Sequence, residues 1–195
     1  MSEKDNILPQ KASENSSASG QEPPHDLIRD CIAQNRMAQK KLYEQYAPLL
    51  YGVIKRYVYN GAQADEILND AFFKILTGLE GYSFKGSFQG WMRRIVINTI
   101  TDNFRKYIKK EPAYKVEIET TDVHVEGDVI GKLHYKELLG LIHQLPDTQR
   151  AVFNLFVFEQ LSHKEISDHL GINENNSRWH LNDARRRLKE KINSM

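Results

Sequence analysis

Apolar residues recur every three or four positions along most of this chain, a spacing that predicts helices. The longest such run lies between Phe84 and Lys110. Phe88, Trp91, Met92, Ile95, Val96, Ile100, Phe104, Tyr107 and Ile108 form one stripe, and Arg94, Asn98, Thr101, Arg105 and Lys109 lie opposite. A loop containing Phe84, Gly86 and Phe88 leads into it. Two readings of this stretch stand together. It is either an ordinary amphipathic helix with a solvated basic face, or an aromatic and basic platform that holds single-stranded nucleic acid. Trp91 sits on the apolar stripe, which favours packing over base stacking.

The same periodicity predicts a series of helices before it. Asp26 caps a short helix that buries Leu27, Ile28 and Ile32. A second helix over 36–59 carries Leu42, Tyr46, Leu50, Val53, Ile54 and Tyr57, with a kink or break expected near Ala47 because Pro48 lies inside it. Asn60-Gly61 is expected to end that helix, with Gly as the residue after the cap. A third helix over 62–77 buries Ile67, Leu68, Ala71, Phe72, Ile75 and Leu76. Its outer face holds Asp65, Glu66, Asn69, Asp70 and Lys74, and a solvated face that favours the helix dipole is the plain reading of those acids.

After Lys110 the periodicity stops. Residues 111–128 mix one proline with polar residues and more acids than bases, and are expected to be a flexible linker. Helices resume over 132–144 and 147–158, the latter behind Pro146. Ser162 and Glu165 are spaced as a capping box for a short helix that ends at Leu170-Gly171. A three-residue turn then leads to a longer basic helix from Glu174 to about Asn193. A capped short helix, a glycine turn and a basic helix make a helix-turn-helix, whose second helix enters the major groove of DNA. The expected fold is all-α: two small helical domains joined by a flexible linker, the C-terminal one containing the helix-turn-helix. The domain bounds are 26–110 and 131–195, with a linker over 111–130 and a disordered tail over 1–25.

Composition narrows the function. The 195 residues are 40% apolar with mean hydropathy −0.59, which suits small helical domains better than one large core. The formal charge is only +1. The bases cluster, however, over 93–110 and 174–191, so two local anion contacts are expected. One cysteine, Cys31, excludes a disulfide framework and a zinc cluster. No apolar run approaches the roughly 18 residues of a membrane span, and the first 25 residues lack a secretory apolar region, so a cytoplasmic protein is expected. The sequence has no Gly-rich phosphate loop, no G-x-S-x-G and no H-E-x-x-H, so neither catalytic nor metal-binding residues are assigned and no cofactor or small-molecule substrate is expected.

Three segments together resemble the bacterial sigma factors of the sigma-70 family, extracytoplasmic-function (ECF) subgroup. Ala64-Asp65-Glu66-Ile67-Leu68-Asn69-Asp70-Ala71-Phe72-Phe73-Lys74 is similar to the family's region 2 helix, with Asn69 where Gln is usual. Phe84-x-Gly86-Ser87-Phe88-x-x-Trp91-x-x-Arg94-Ile95-x-x-Asn98, continuing to Asp102 and Arg105, resembles the segment that contacts the −10 promoter element. Leu145-Pro146 through Arg150, Leu161-Ser162, Glu165-Ile166, Leu170-Gly171-Ile172 and Ala184-Arg185 resemble region 4, with Ser167 departing from the usual Ala. In the recognition helix only the basic residue, Arg178, follows the common pattern, so the −35 preference does not transfer.

The resemblance implies a factor that binds core RNA polymerase, recognises −10 and −35 elements and promotes DNA opening. It implies polymerase contact, at the β′ clamp helices, by Asp65, Glu66, Asn69, Asp70 and Lys74, and between region 4 and the β flap. It implies −10 contact, including single strands, by Phe84, Lys85, Ser87, Arg94, Asn98, Thr101, Arg105 and Lys106, with Phe84–Phe88 near a flipped base. It implies −35 duplex contact by Ser177, Arg178, Trp179, Asn182, Arg185 and Arg186, with Arg178 as the base reader and Arg185 and Arg186 on phosphates. Many relatives are held inactive by an anti-sigma factor, often membrane-bound, which makes one a candidate partner. The alternative is a conventional helix-turn-helix regulator that binds duplex DNA as a dimer; the last 60 residues alone permit it, and the paired motifs at 64–74 and 84–105 speak against it.

Overall fold

Most helices start where a side-chain oxygen takes up N–H groups that the first turn leaves unpaired. The computed structural model describes Pro23 and residues 25–108 and 135–194. Every regular element among them is helical: α1 (His25–Ile32), α2 (Arg36–Tyr57), α3 (Gly61–Gly78), a 3-10 turn (Leu79–Gly81), α4 (Phe88–Ile108), α5 (Tyr135–His143), α6 (Asp147–Val157), α7 (His163–Leu170) and α8 (Glu174–Asn193). The Asn35 carboxamide accepts from the Met37 and Ala38 amides at 2.9 and 3.2 Å. Ser87 caps α4 by accepting from the Gly90 amide at 3.3 Å. Ser162 and Glu165 form the expected reciprocal capping box, and Gly171 ends α7 in the left-handed region at φ 70°. The expected linker lies outside the described residues, as does the expected tail apart from Pro23 and His25, and His25 is already the first residue of α1.

Three local expectations change. α2 is one continuous helix through Pro48. The proline lies on an exposed side of α2, and the carbonyl it leaves unpaired belongs to exposed Glu44, so water can take that bond. Asn60-Gly61 opens the next helix: Asn60 accepts from the Gln63 amide at 3.2 Å and Gly61 is the first residue of α3. Asn is as good an N-cap as it is a helix stop, and α2 ends earlier, at extended Val58. α1 begins at His25, so Asp26 lies in its first turn and not at its cap.

The first four helices enclose one core in which Leu42, Leu50, Ile54, Tyr57, Ile67, Ile75, Phe88, Met92 and Ile100 are fully buried. The last four enclose a smaller one around Ile142, Val152, Leu155, Ile166, Leu181 and Ala184. The two units touch, α2 lying on α5 and α6 and α4 on α7.

Trp91 joins the first core at its rim. Its ring stacks with Phe88 at 5.5 Å, meets Tyr82 at 5.2 Å and lies against Gly78, where a Cβ would approach it to 3.4 Å. The apolar stripe therefore explains Trp91. Truncating a large aromatic at such a rim costs about 2–3 kcal/mol, somewhat below a full core deletion. Trp91→Ala is expected to lower the first unit's stability by about that amount and Trp91→Phe by less than half of it, measured by urea unfolding of the full chain.

Candidate nucleic-acid and polymerase interfaces

On α3 the helical period gathers Asp65, Glu66, Asn69, Asp70, Phe73 and Lys74 on one exposed arc. Lys74 reaches across to Asp102 of α4 at 3.5 Å. Phe73 lies at the centre of the arc, 69% exposed. An aromatic ringed by charges is the composition of an interface centre, and the sequence reading assigned Phe73 to neither the buried stripe nor the outer face. Its angular position, opposite buried Ile75 and Leu68, was the available signal.

The loop before α4 is shaped by two left-handed residues, Phe84 at φ 56° and Gly86 at φ 82°. Phe84 has a Cβ, so that conformation carries strain of about 1–3 kcal/mol, held in place by neighbours. The Tyr82 hydroxyl donates to the Gly86 carbonyl at 3.1 Å, and the Phe84 ring lies 5.0 Å from Tyr82 and 4.5 Å from His25. Pro23, His25, Ile28, Tyr82, Phe84, Gly86 and Ser87 line a cavity of about 320 Å³ there. Lys85 is exposed beside it, while the Ser87 hydroxyl is engaged as the α4 cap.

Along α4, Arg94, Asn98 and Lys106 face solvent. Thr101 does not: it is buried and its hydroxyl donates to the Asn98 carbonyl at 3.0 Å, because the helical period turns it toward Ile97 and Phe104. Arg105 is half-buried, paired with Asp102 at 3.7 Å and donating to the Asp168 carbonyl of α7. The expected strand-holding face is thus open at Arg94 and Asn98, closed at Thr101 and already occupied at Arg105.

On α8 the stripe Ser177, Leu181, Ala184 and Leu188 is buried. Ser177, expected on DNA, is instead fully buried and bonded to His163 Nδ1 at 2.9 Å. The outward face carries Asn175, Arg178, Trp179, Asn182, Arg185 and Arg186, and Asn175 is exposed although the sequence reading passed it over. Arg178 pairs with Glu174 and Arg186 with both Asp183 and Glu190. Trp179 is half-buried against His180, and Arg185 stands 5.4 Å over the Phe156 ring.

A seam joins the units. Glu159, its side chain 7% exposed, accepts from Arg93 at 2.6 and 2.8 Å and from Arg56 at 3.3 Å. That pairing pushes the Arg93 guanidinium up, and burial, with the Glu159 carboxylate second, pushes the Tyr57 hydroxyl well above its usual range. The last carbonyls of α2 point into the same seam. Lys55 accepts from His143 Nε2 at 2.6 Å, Arg56 from the Asn154 carboxamide at 2.9 Å and Tyr57 from Arg150 Nε at 2.8 Å. A carbonyl can only accept, so His143 carries its hydrogen on Nε2.

Two independent matches read the same way as this geometry. Residues 42–109 match the family description Sigma-70 region 2, and residues 135–188 match Sigma-70, region 4, together more than half of the chain. The RNA polymerase sigma-H factor of Pseudomonas aeruginosa is 26% identical over 159 residues, covering 75% of this chain and 82% of that one. The ECF RNA polymerase sigma factor SigM of Bacillus subtilis is 26% identical over 170 residues, covering 80% and 96%. A solved complex of the sigma factor RpoE with the anti-sigma factor NepR from Bartonella quintana is 18% identical, covers 77% and 94%, and superposes with a TM-score of 0.47. The chain belongs to the sigma-70 family of transcription initiation factors. Among the described residues no helix is long and apolar enough to cross a membrane.

The helix-turn-helix carries a pH dependence of its own. Burial, with Arg178 second, holds the His163 pKa below its usual value, and burial does the same for His180. Both imidazoles therefore take up a proton less readily in the fold than in the unfolded chain, which binds more protons between the depressed values and about 6.5. Stability is fully present above about pH 6.5 and falls as pH drops from there toward the depressed values. Urea unfolding of the full chain at pH 7.5 and 5.5 is expected to show the loss, and His163→Gln with His180→Gln to shrink it.

Proposed function

We propose that the unit expected over 26–110, which α1 begins one residue earlier at His25, binds polymerase and holds the opened −10 strand, and that α5–α8, within 131–195, read the −35 duplex, with 111–130 joining them and the residues before His25 as a tail. The observation that carries the −10 assignment is the exposed pair Arg94 and Asn98 running on from the strained Phe84 loop and its aromatic cavity. Asn98 both donates and accepts, so it suits a base edge, and Arg94 suits a phosphate. Phe84 and its cavity suit an unstacked base, with Lys85 and Lys106 as phosphate contacts at either end.

The acidic arc of α3 faces basic residues of core polymerase, with Phe73 as its apolar centre and Asp65, Glu66, Asn69 and Asp70 setting register. Arg178 on α8 leaves Glu174 for a guanine edge, and Asn175, Trp179 and Asn182 line the same face. The protein works without chemistry of its own and in the cytoplasm, where its polymerase partner is. The region 4 contact on polymerase is the β flap. An anti-sigma factor is a further partner, by analogy with the RpoE–NepR pair.

Asn98→Ala is expected to lower open-complex formation about tenfold or more, scored by permanganate reactivity of the melted strand, while polymerase binding stays unchanged. Phe73→Ala is expected to do the reverse, weakening affinity for core polymerase about tenfold or more in a fluorescence titration. Equal loss of polymerase binding in both variants would contradict the division of labour.

A further inference from the structure

We infer that Glu174 is a second base reader of α8, selecting a cytosine close beside the guanine that Arg178 takes; this rests on the sigma-factor reading of that helix. Glu174 is the first residue of α8. It follows the Asn173 cap directly, whose carboxamide accepts from the Asn176 amide at 2.6 Å. The cap fixes where the helix starts and so where Glu174 stands. The N-terminal turn of a recognition helix is the part that meets base edges. Within that turn Ser177 is buried and bonded to His163. Glu174 and Arg178 remain open, their side chains 44% and 51% exposed, and pair with each other across one helical turn. Phosphates repel a carboxylate, so an acid at this place weakens sequence-independent binding and is offset only by a donor on a base.

The ion pair constrains what each partner can do on DNA. Arg178 has to leave Glu174 to fork onto guanine O6 and N7. The freed carboxylate then faces the groove. His163 of α7 lies within electrostatic reach of it, but its Nδ1 is bonded to Ser177 at 2.9 Å and its ring stacks on Phe156 at 4.9 Å. Burial, with Arg178 second, also lowers the His163 pKa, so at pH 7.5 it brings no full charge to Glu174. Arg185 stays over the same Phe156 ring. A carboxylate only accepts, and one left unpaired as water is displaced is costly. In the major groove guanine presents acceptors alone, and thymine an acceptor and a methyl group. Adenine sets its N6 donor beside the N7 acceptor, whereas cytosine presents the N4 donor by itself. Cytosine therefore fits Glu174 best and adenine second. Four residues advance about 6 Å along a helix and base pairs stack about 3.4 Å apart, so Glu174 reaches an edge about one or two steps from the guanine. A first-turn acid and an i,i+4 pair also stabilise a helix, but those roles are blind to base sequence.

The test is run-off transcription by the full chain with core polymerase, on a host promoter library randomised over the −35 element, with the transcripts sequenced. The unmodified protein is expected to select guanine at one position. Beside it, cytosine is expected over guanine or thymine by about tenfold. Glu174→Gln replaces an acceptor-only group with a carboxamide that pairs with adenine N6 and N7. The preference there is expected to move from cytosine to adenine while the guanine is kept. Arg178→Ala is expected to flatten the guanine position. An unchanged profile in Glu174→Gln, a change of equal size at every position, or a guanine preference that survives Arg178→Ala overturns the inference. No transcript from any library member with the unmodified protein is a distinct result, which sinks the sigma-factor reading and the inference with it.

Discussion

A carboxylate buried to 7% exposure between two arginines is the constraint on which this arrangement turns. Moving Glu159 out of water costs several kcal/mol, and only close, well-aligned guanidinium groups offset that. Both come from the other unit, so the low-energy position for Glu159 exists only when α2, α4 and the α6–α7 connection are brought together. The capping of α2 follows from the same placement. Once Arg56 and Arg93 meet Glu159, the end of α2 is presented to α5 and α6, where Arg150 joins Tyr57 to the His143 and Leu145 carbonyls. Buried ion pairs contribute more to position than to net stability.

That joint links two units whose interiors are independent. Each has its own apolar core, and the polar seam resembles a transient interface, with charged groups and helix-end carbonyls in place of interlocked aliphatic chains. The functional surfaces are divided accordingly. The α3 arc, centred on Phe73, is exposed in the closed chain, whereas Arg105 on α4 is engaged by the other unit.

Much of this was legible in the sequence because it is local. The 3.6-residue period located the helices, and Ser162, Glu165 and Gly171 gave the helix-turn-helix its boundaries through hydrogen bonds spanning a few residues. Asn60-Gly61 was misread because the same two residues suit a stop and a start. Thr101 and Ser177 were misplaced because each lies at the margin between buried stripe and open face, where the packing of neighbours decides; Ser177 went inward to meet His163, fourteen residues away. Phe73 was left off the outer face because only the charged and amide residues there suggested a contact; its 69% exposure comes from its angular position away from the stripe. The seam was beyond reach. Its bonds join residues 63 to 103 apart, and no periodicity or motif couples Arg56 and Arg93 to Glu159.

The proposed division of the two units between the −10 and −35 elements is tested most directly by the distance between the units, free and with core polymerase and promoter DNA. Spin labels at exposed Gln45 of α2 and Lys189 of α8, on a Cys31→Ala background, report it by pulsed dipolar spectroscopy. A single short distance in the free protein that lengthens by tens of Å, roughly 40 Å or more, with core polymerase and promoter DNA is the predicted result. The same distance in both states would contradict it.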